Sequence, residues 1–102
     1  MAKLIALYHK PADTAAFDAY YTSTHVPLAK KVPGLRGYRV SNGAVMTPQG
    51  PSPYHLVALL DFDSADAIAS ALGTPEGAAT AADLANFAQA GVDLLIFDDK
   101  AI

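Results

Sequence analysis

Three segments of the chain, residues 4–9, 55–62 and 92–97, are apolar at nearly every position. Alternate side chains of a β-strand point to opposite faces of its sheet, so strands of this kind present apolar side chains to both faces. A sheet with one face in water would instead alternate apolar with polar residues. Both faces of the predicted sheet therefore need a cover, and this requirement constrains the fold more than any other feature of the sequence.

The region between the first two apolar segments predicts a helix and a strand. The helix is expected to begin after Asp13, a residue type that caps helix N-termini, and to end before Pro33. Pro27 has no N–H, and its ring clashes with a carbonyl one turn earlier in a regular helix. We therefore expect a kink or a break around residues 24–26. The strand is expected over residues 35–44.

The second half of the chain predicts a loop and a second helical region. Three prolines and a glycine fall within residues 47–53, which predicts a connection without regular structure. The helical region is expected to start at Asp63 or Ser64 and to run to about Leu72. The Thr-Pro pair that follows restarts the helix, which then continues to about Gln89.

The predicted order is strand, helix, strand, strand, helix, strand, which is the order of a ferredoxin-like βαββαβ sandwich in the α+β class. In this fold a four-stranded antiparallel sheet carries both helices on one face, and its first and third strands are central. A second copy of the chain is the simplest cover for the other face, giving a barrel-like homodimer with a cavity between sheet and helices or between the two sheets. The alternative is a monomer that tolerates an exposed apolar face.

The composition narrows the expected partners and compartment. With 102 residues, the chain is expected to form a single domain, residues 1–102. A formal net charge of −3 and only seven Lys and Arg residues argue against nucleic acid as a partner. The absence of cysteine fits a reducing compartment, and the apolar run at the start is too short for a signal peptide or a membrane span. We expect a cytoplasmic protein that does not bind membranes.

His25 is a candidate for chemistry because it lies where Pro27 is expected to disrupt the helix. A disrupted turn often opens onto a cavity, and an imidazole there can act as general acid or base, or donate a hydrogen bond to a carbonyl or enolate oxygen. Alternatively, His25 caps the helix by bonding a free carbonyl. The three histidines show no metal-ligand spacing, and no nucleotide-binding or serine-nucleophile motif occurs. We expect neither a metal nor another cofactor.

Tyr38, on the predicted second strand, can place a phenol in the same space as His25. Alternatively, it is a core tyrosine whose hydroxyl reaches a wet edge. Four of the seven cations fall between residues 30 and 39. A helix end explains the lysines among them, whereas a basic rim would draw an anionic ligand to the mouth of the cavity. These cations are Lys30, Lys31, Arg36 and Arg39.

Two stretches of the chain resemble the EthD family. The first is F-D-A-Y-Y-T-S-T-H-V-P-L at residues 17–28, followed by V-P-G-L-R-G-Y at residues 32–38. It is similar to that family's F-x-x-Y-[WY]-x-x-x-H-x-P-L run, its P-G-L turn and its following strand with an aromatic residue. The second is A-L-L-D-F-D-S at residues 58–64, which is similar to the F-D-S ending of the family's third strand. The stretches occur in the family's order.

The resemblance implies a member of the dimeric α+β barrel superfamily, a small homodimer with a mostly apolar cavity in each subunit. Related barrels include muconolactone-type isomerases, cofactor-free quinone-forming monooxygenases, and polyketide cyclases or decarboxylases. In the methylmuconolactone isomerase branch, the histidine of the motif and the tyrosine of the following strand are implicated at the site. His25 and Tyr38 occupy those positions here. That branch also uses cysteine, which this chain lacks.

Two functions of different classes follow from these features. The first is a cofactor-independent enzyme of the isomerase, cyclase or decarboxylase, or monooxygenase type, acting on a small cyclic or aromatic metabolite. His25 would shuttle a proton and Tyr38 would stabilise an oxyanion. The second is a non-catalytic accessory protein that binds a small hydrophobic or weakly anionic metabolite in the same pocket. The residues expected to line that pocket are Tyr8, Tyr21, His55, Leu59 and Phe97.

Overall fold

The computed structural model describes residues 1–102. Its strands are β1 (Ala2–His9), β2 (Gly37–Val40), β3 (Met46–Thr47), β4 (Gly50–Pro51), β5 (Tyr54–Phe62) and β6 (Val92–Asp98). Its α-helices are α1 (Thr14–Tyr20), α2 (Val26–Ala29), α3 (Ala65–Leu72) and α4 (Pro75–Phe87). A π-helical segment, Tyr21–His25, joins α1 to α2. None of the helices has the length and apolar composition that a membrane crossing needs.

The main sheet is antiparallel and has the strand order β2-β5-β1-β6. Strands β1 and β5 are the predicted first and third strands, and they are central as expected. In the register of the sheet, Leu4 lies opposite Leu60 on one side and Ile96 on the other. The element order and the sheet together confirm the predicted βαββαβ arrangement.

The helices pack on one face of this sheet and enclose an aromatic core. Tyr8 on β1, Phe62 on β5 and Ile68 on α3 are almost completely buried. The ring centroids of Phe17 and Phe87 lie 5.5 Å and 5.6 Å from that of Tyr8. Ring contacts of this kind add to the stabilisation that burial of apolar area provides. The core therefore ties β1 to the first and the last helix.

The other face of the sheet, which we call the open face, carries apolar side chains that no helix of the chain covers. Strand alternation places Ile5, Leu7 and Leu59 on this face, with Leu95 and Phe97 beside them on the edge strand β6. Leu95 is 49% exposed and Phe97 is 42% exposed. Apolar patches of this extent on a protein surface usually mark a site where another molecule binds.

Pro27 does not break the first helix. The predicted irregularity is at the right place, but the backbone widens there into the π-helical segment, in which the N–H of Val26 donates to the carbonyl of Tyr21 five residues earlier. In a regular helix the ring of Pro27 would meet the carbonyl four residues before it, and the wider turn removes this clash. The helical path therefore continues through Pro27 as far as Ala29.

Two predictions about the middle of the chain are wrong. Strand β2 covers only Gly37–Val40, whereas the sequence predicted a strand over residues 35–44. The segment expected to be irregular contains the hairpin of β3 and β4, in which Thr47 pairs with Gly50. Gly50 has a φ of +128°, which a glycine adopts without strain, and the Thr47 hydroxyl donates to its carbonyl at 2.9 Å. Local turn chemistry thus overrides the effect of the prolines.

Gly77, in the first turn of α4, allows α3 and α4 to approach each other closely. A Cβ at this position would lie 2.0 Å from the carbonyl oxygen of Ala71 and 2.8 Å from the Cα of Leu72. Both are backbone atoms, which cannot rotate away as a side chain can. A side chain at residue 77 would therefore separate the two helices.

We expect Gly77→Ala to lower the free energy of unfolding by roughly 3 kcal/mol, the upper range for overpacking a core. Urea denaturation followed by circular dichroism measures this change. Gly73→Ala is the matched control, because a Cβ at residue 73 meets nothing closer than 3.5 Å. The control should keep its stability within about 1 kcal/mol of the wild type. Equal losses in the two variants would contradict close helix approach as the cause.

Candidate functional site

The π-helical segment directs His25 away from solvent and toward α4. His25 is 4% exposed, and its Nδ1 lies 2.9 Å from Oδ2 of Asp83. Because a carboxylate can only accept, the Nδ1–H of His25 donates to Asp83. The alternative in which His25 caps its own helix through a free carbonyl is wrong, since its side-chain partner is a carboxylate on a different helix.

Asp83 is a buried carboxylate that accepts from three donors. Besides His25, the hydroxyl of Tyr20 donates to Oδ1 at 2.6 Å, and Nδ2 of Asn86 donates to the same oxygen at 3.0 Å. Burial alone would raise the pKa of Asp83. The hydrogen bonds from Tyr20, Asn86 and His25 outweigh burial and hold its pKa below the ordinary value. Asp83 is therefore ionised at neutral pH.

The imidazole of His25 is neutral at pH 7 and has a free lone pair. Burial lowers its pKa from the ordinary value of 6.5, because burial disfavours the imidazolium more than the neighbouring Asp83 favours it. With the hydrogen on Nδ1, the lone pair is on Nε2. This atom makes no hydrogen bond within the chain. Nε2 is therefore the nitrogen of His25 that is left to act on a molecule in the cavity that His25 lines.

A pair of tyrosine hydroxyls reaches the same cavity. The hydroxyl oxygens of Tyr21 and Tyr38 are 2.5 Å apart, so one phenol donates to the other and one O–H hydrogen of the pair remains free. Burial is the main cause that raises the pKa of both phenols above the ordinary value. Both therefore stay protonated at neutral pH. The pair can donate a hydrogen bond to an oxygen on which negative charge develops.

The cavity, which we call the His25 cavity, lies between the sheet and the helices. It brings together four of the predicted site residues, Tyr8, Tyr21, His25 and Tyr38. Nearly all its other lining side chains are apolar. A charge that develops on a reacting group would therefore have few other polar groups around it. Its volume is about 70 Å³. That is more than the roughly 10–15 Å³ that one water molecule needs.

The predicted pocket residue His55 lies outside the His25 cavity. Strand β5 has a bulge here, because the pairing register with β1 shifts between Tyr8 and His9. The bulge turns His55 toward α1, where its Nε2 lies 2.7 Å from Oδ1 of Asp18. His55 lines a separate pocket beside residues 41–45. The period-two pattern used for the sequence prediction cannot reveal a bulge.

Leu59 and Phe97 also lie away from the His25 cavity, because strand alternation places both on the open face. The cations expected to form a basic rim do not line the cavity either. The guanidinium of Arg36 donates to Asp63 at 3.0 Å instead. On the open face, the guanidinium of Arg39 lies 3.6 Å from a carboxylate oxygen of Asp61. The alternative in which these cations form a basic rim around the cavity is therefore wrong, although Tyr38 of the same segment lines it.

The sequence prediction missed the three residues that complete the site, Asp83, Tyr20 and Asn86. A weak signal was available, because Asp83 is the only acidic residue of α4 beyond its first turn. Nothing in the sequence shows that this carboxylate faces His25, 58 residues away. No three His, Asp or Glu side chains gather in an arrangement that could hold a metal ion.

A family model for the EthD domain matches residues 9–91 of the chain. The chain belongs to the EthD family. It is 38% identical over 102 residues to an uncharacterized 11.0 kDa protein in the thcB-thcC intergenic region of Rhodococcus erythropolis, covering 100% of this chain and 98% of that protein. The crystal structure of an EthD family protein from Bacillus halodurans has a TM-score of 0.89 and 38% identity, with 98% of this chain and 99% of that chain covered.

More distant structures share the fold of this EthD protein. A dimeric ferredoxin-like protein of unknown function from Thermobifida fusca has a TM-score of 0.69 and 19% identity, covering 96% of this chain and 90% of that chain. SnoaB, a cofactor-independent oxygenase from Streptomyces nogalater, has a TM-score of 0.66 and 16% identity, covering 99% of this chain and 94% of that chain. The predicted family and the ferredoxin-like α+β fold are both confirmed.

The lowered pKa of His25 makes the stability of the protein dependent on pH. Between the ordinary value of 6.5 and the lower value in the fold, the unfolded chain binds more protons than the folded chain. The free energy of unfolding therefore falls as the pH drops through this window. Asp83, whose pKa is also lowered, loses its contribution only below its ordinary value of 3.8.

We expect His25→Gln to weaken this dependence, so that the urea midpoint changes less between pH 7 and pH 5 than in the wild type. His9→Gln is the matched control for replacing an imidazole outside the core, where Nε2 of His9 lies 3.0 Å from Asp93. A His25→Gln variant that loses stability with acid as steeply as the wild type would show that burial of this imidazole is not the cause.

Proposed function

We propose that this EthD protein is a cofactor-independent enzyme that moves a proton on a small cyclic or aromatic metabolite. The observation that supports this most directly is the pair of His25 and Asp83, which leaves the free Nε2 of a neutral imidazole at an apolar cavity. A histidine held in one tautomer by a buried carboxylate is a common form of general base. The oxygenase activity named for SnoaB, which shares the fold, is compatible with such chemistry.

The proposed step is proton abstraction from a carbon next to a carbonyl group. Nε2 of His25 takes the proton, the electron pair of the C–H bond forms a carbon–carbon double bond, and the π pair of the carbonyl group moves to its oxygen. The free hydrogen of the Tyr21–Tyr38 pair donates to the enolate oxygen that forms. The imidazolium then returns the proton to another carbon of the substrate, which gives an isomer and restores His25. Reactions of the isomerase, cyclase and oxygenase types can all begin from such an enolate.

Each group has a separate contribution in this mechanism. A positioned general base accelerates proton transfer by roughly 10²–10⁴-fold. A hydrogen-bond donor to the developing oxyanion contributes a further factor of about 10²–10³. Asp83 does not take up the proton, because its three hydrogen bonds favour the ionised form. It fixes the His25 tautomer and stabilises the imidazolium.

The test follows proton exchange in α-angelica lactone, a five-membered lactone with acidic C–H groups, by NMR in D₂O. We expect His25→Gln to lower the exchange rate by roughly 10²–10⁴-fold and Tyr38→Phe to lower it by about 10²-fold. His9→Gln should retain the wild-type rate. A wild type no faster than His25→Gln, with unchanged lactone binding in both, would overturn catalysis and favour the non-catalytic binding protein.

We further propose that the EthD protein is a homodimer formed through the open face. The apolar side chains on this face have no cover within the chain, and the Thermobifida fusca neighbour is described as dimeric. Two sheets packed face to face would bury these side chains against each other. The same contact would leave both His25 cavities on the outer, helical sides.

Sedimentation velocity at micromolar concentration should give a dimer for the wild type. Leu59→Arg places a charge in the middle of the open face, and we expect it to give a monomer that keeps the wild-type circular dichroism spectrum. Met46→Arg is the control, because Met46 lies on the hairpin and is 60% exposed. A monomeric wild type, or a Leu59→Arg variant that remains dimeric, would contradict this interface.

A further inference from the structure

The His25 cavity by itself is smaller than the sites that usually bind metabolites. Its volume is about 70 Å³, whereas ligand pockets typically have volumes of about 300–1,000 Å³. A second pocket of about 560 Å³ lies between α1, the start of β5 and residues 41–45. We call it the loop pocket. Tyr21 lines both spaces, so a ligand that occupies both would lie against its ring.

The loop pocket carries side-chain donors that bond nothing within the chain. The hydroxyl of Ser41 accepts a hydrogen bond from the backbone N–H of Val57 at 3.0 Å, which leaves its own hydrogen free. Four further side chains of this pocket have donor groups and make no side-chain hydrogen bond or ion pair: Lys10, Thr14, Thr22 and Tyr54. In the His25 cavity, by contrast, the hydroxyls of Tyr21 and Tyr38 bond each other, and one hydrogen of the pair is free. The loop pocket therefore suits a ligand group that is rich in acceptor oxygens.

The charges of the loop pocket leave one cation without a partner. The carboxylate of Asp18 accepts a hydrogen bond from Nε2 of His55 at 2.7 Å. Lys10 forms no ion pair, whereas Lys3 lies 2.6 Å from a carboxylate oxygen of Asp61. An anionic ligand in this pocket would therefore meet an ammonium group without an ion-pair partner and several hydroxyl donors.

We propose that the loop pocket binds the carboxylate arm of a ring-bearing substrate, whose ring lies against Tyr21 and faces the His25 cavity. The position of the ring in this inference rests on the proposed function, whereas the binding of the carboxylate does not. Lys10 pairs with the carboxylate, and the hydroxyls of Thr14, Thr22 and Ser41 supply hydrogen bonds. The substrate class is thus a cyclic or aromatic carboxylic acid rather than a purely hydrophobic metabolite.

The test titrates ¹⁵N-labelled protein with phenylacetate and, separately, with its neutral methyl ester. We expect phenylacetate to shift the backbone signals of residues 41–45 and of Tyr21, and to bind more tightly than the ester. Lys10→Gln should weaken phenylacetate binding by about tenfold, the usual size of one charge-assisted hydrogen bond. It should leave binding of the ester within twofold.

Lys100→Gln is the matched control, since it removes the same charge from an exposed position outside the pocket. Equal weakening in Lys10→Gln and Lys100→Gln would overturn the proposal, because it would show a general effect of net charge. Shifts confined to another surface would overturn it as well. The titration measures binding without turnover, so failure of the proposed enzyme function would leave the loop pocket intact, and the reverse also holds.

Discussion

A carboxylate with almost no exposure to water joins the helical segments of this protein to one another. Asp83 projects from α4 and accepts hydrogen bonds from Tyr20 on α1, His25 on the π-helical segment and Asn86 one turn along α4. A buried charge is strongly destabilising unless donors replace the water it has lost. All three donors must therefore hold their positions, and this requirement fixes where α1 and the π-helical segment lie relative to α4.

The need to hold His25 beside Asp83 also explains why the site contains a widened helical turn. Pro27 prevents the regular hydrogen bonding of the turn that carries His25, and the backbone adapts with a five-residue hydrogen bond from Val26 to Tyr21. Such π-helical turns often occur at functional sites, because they redirect a side chain without ending the helix. Here the buried ring of His25 contacts Phe87, with centroids 4.7 Å apart, and reaches Asp83. Pro27 thus helps to position the imidazole of His25.

The fold and half of the site follow from local patterns in the sequence. Strand periodicity predicts the central places of β1 and β5, and the proline at residue 27 directs attention to His25. The pairing of Asp83 with His25 cannot be predicted at that level, because the two residues are 58 positions apart and only the packing of two helices brings them together. The sequence also fails to predict the face of the sheet on which His55 lies, because a bulge depends on how two strands pair and not on the residues of one strand.

The bulge in β5 lets one strand serve two surfaces. Without it, His55 would lie on the same face as Leu59, where its polar ring would interrupt the apolar surface of the sheet and could not reach Asp18. The extra residue turns the imidazole toward α1 instead. Residues on either side of this irregularity can therefore change independently during evolution, because they face different surfaces of the molecule.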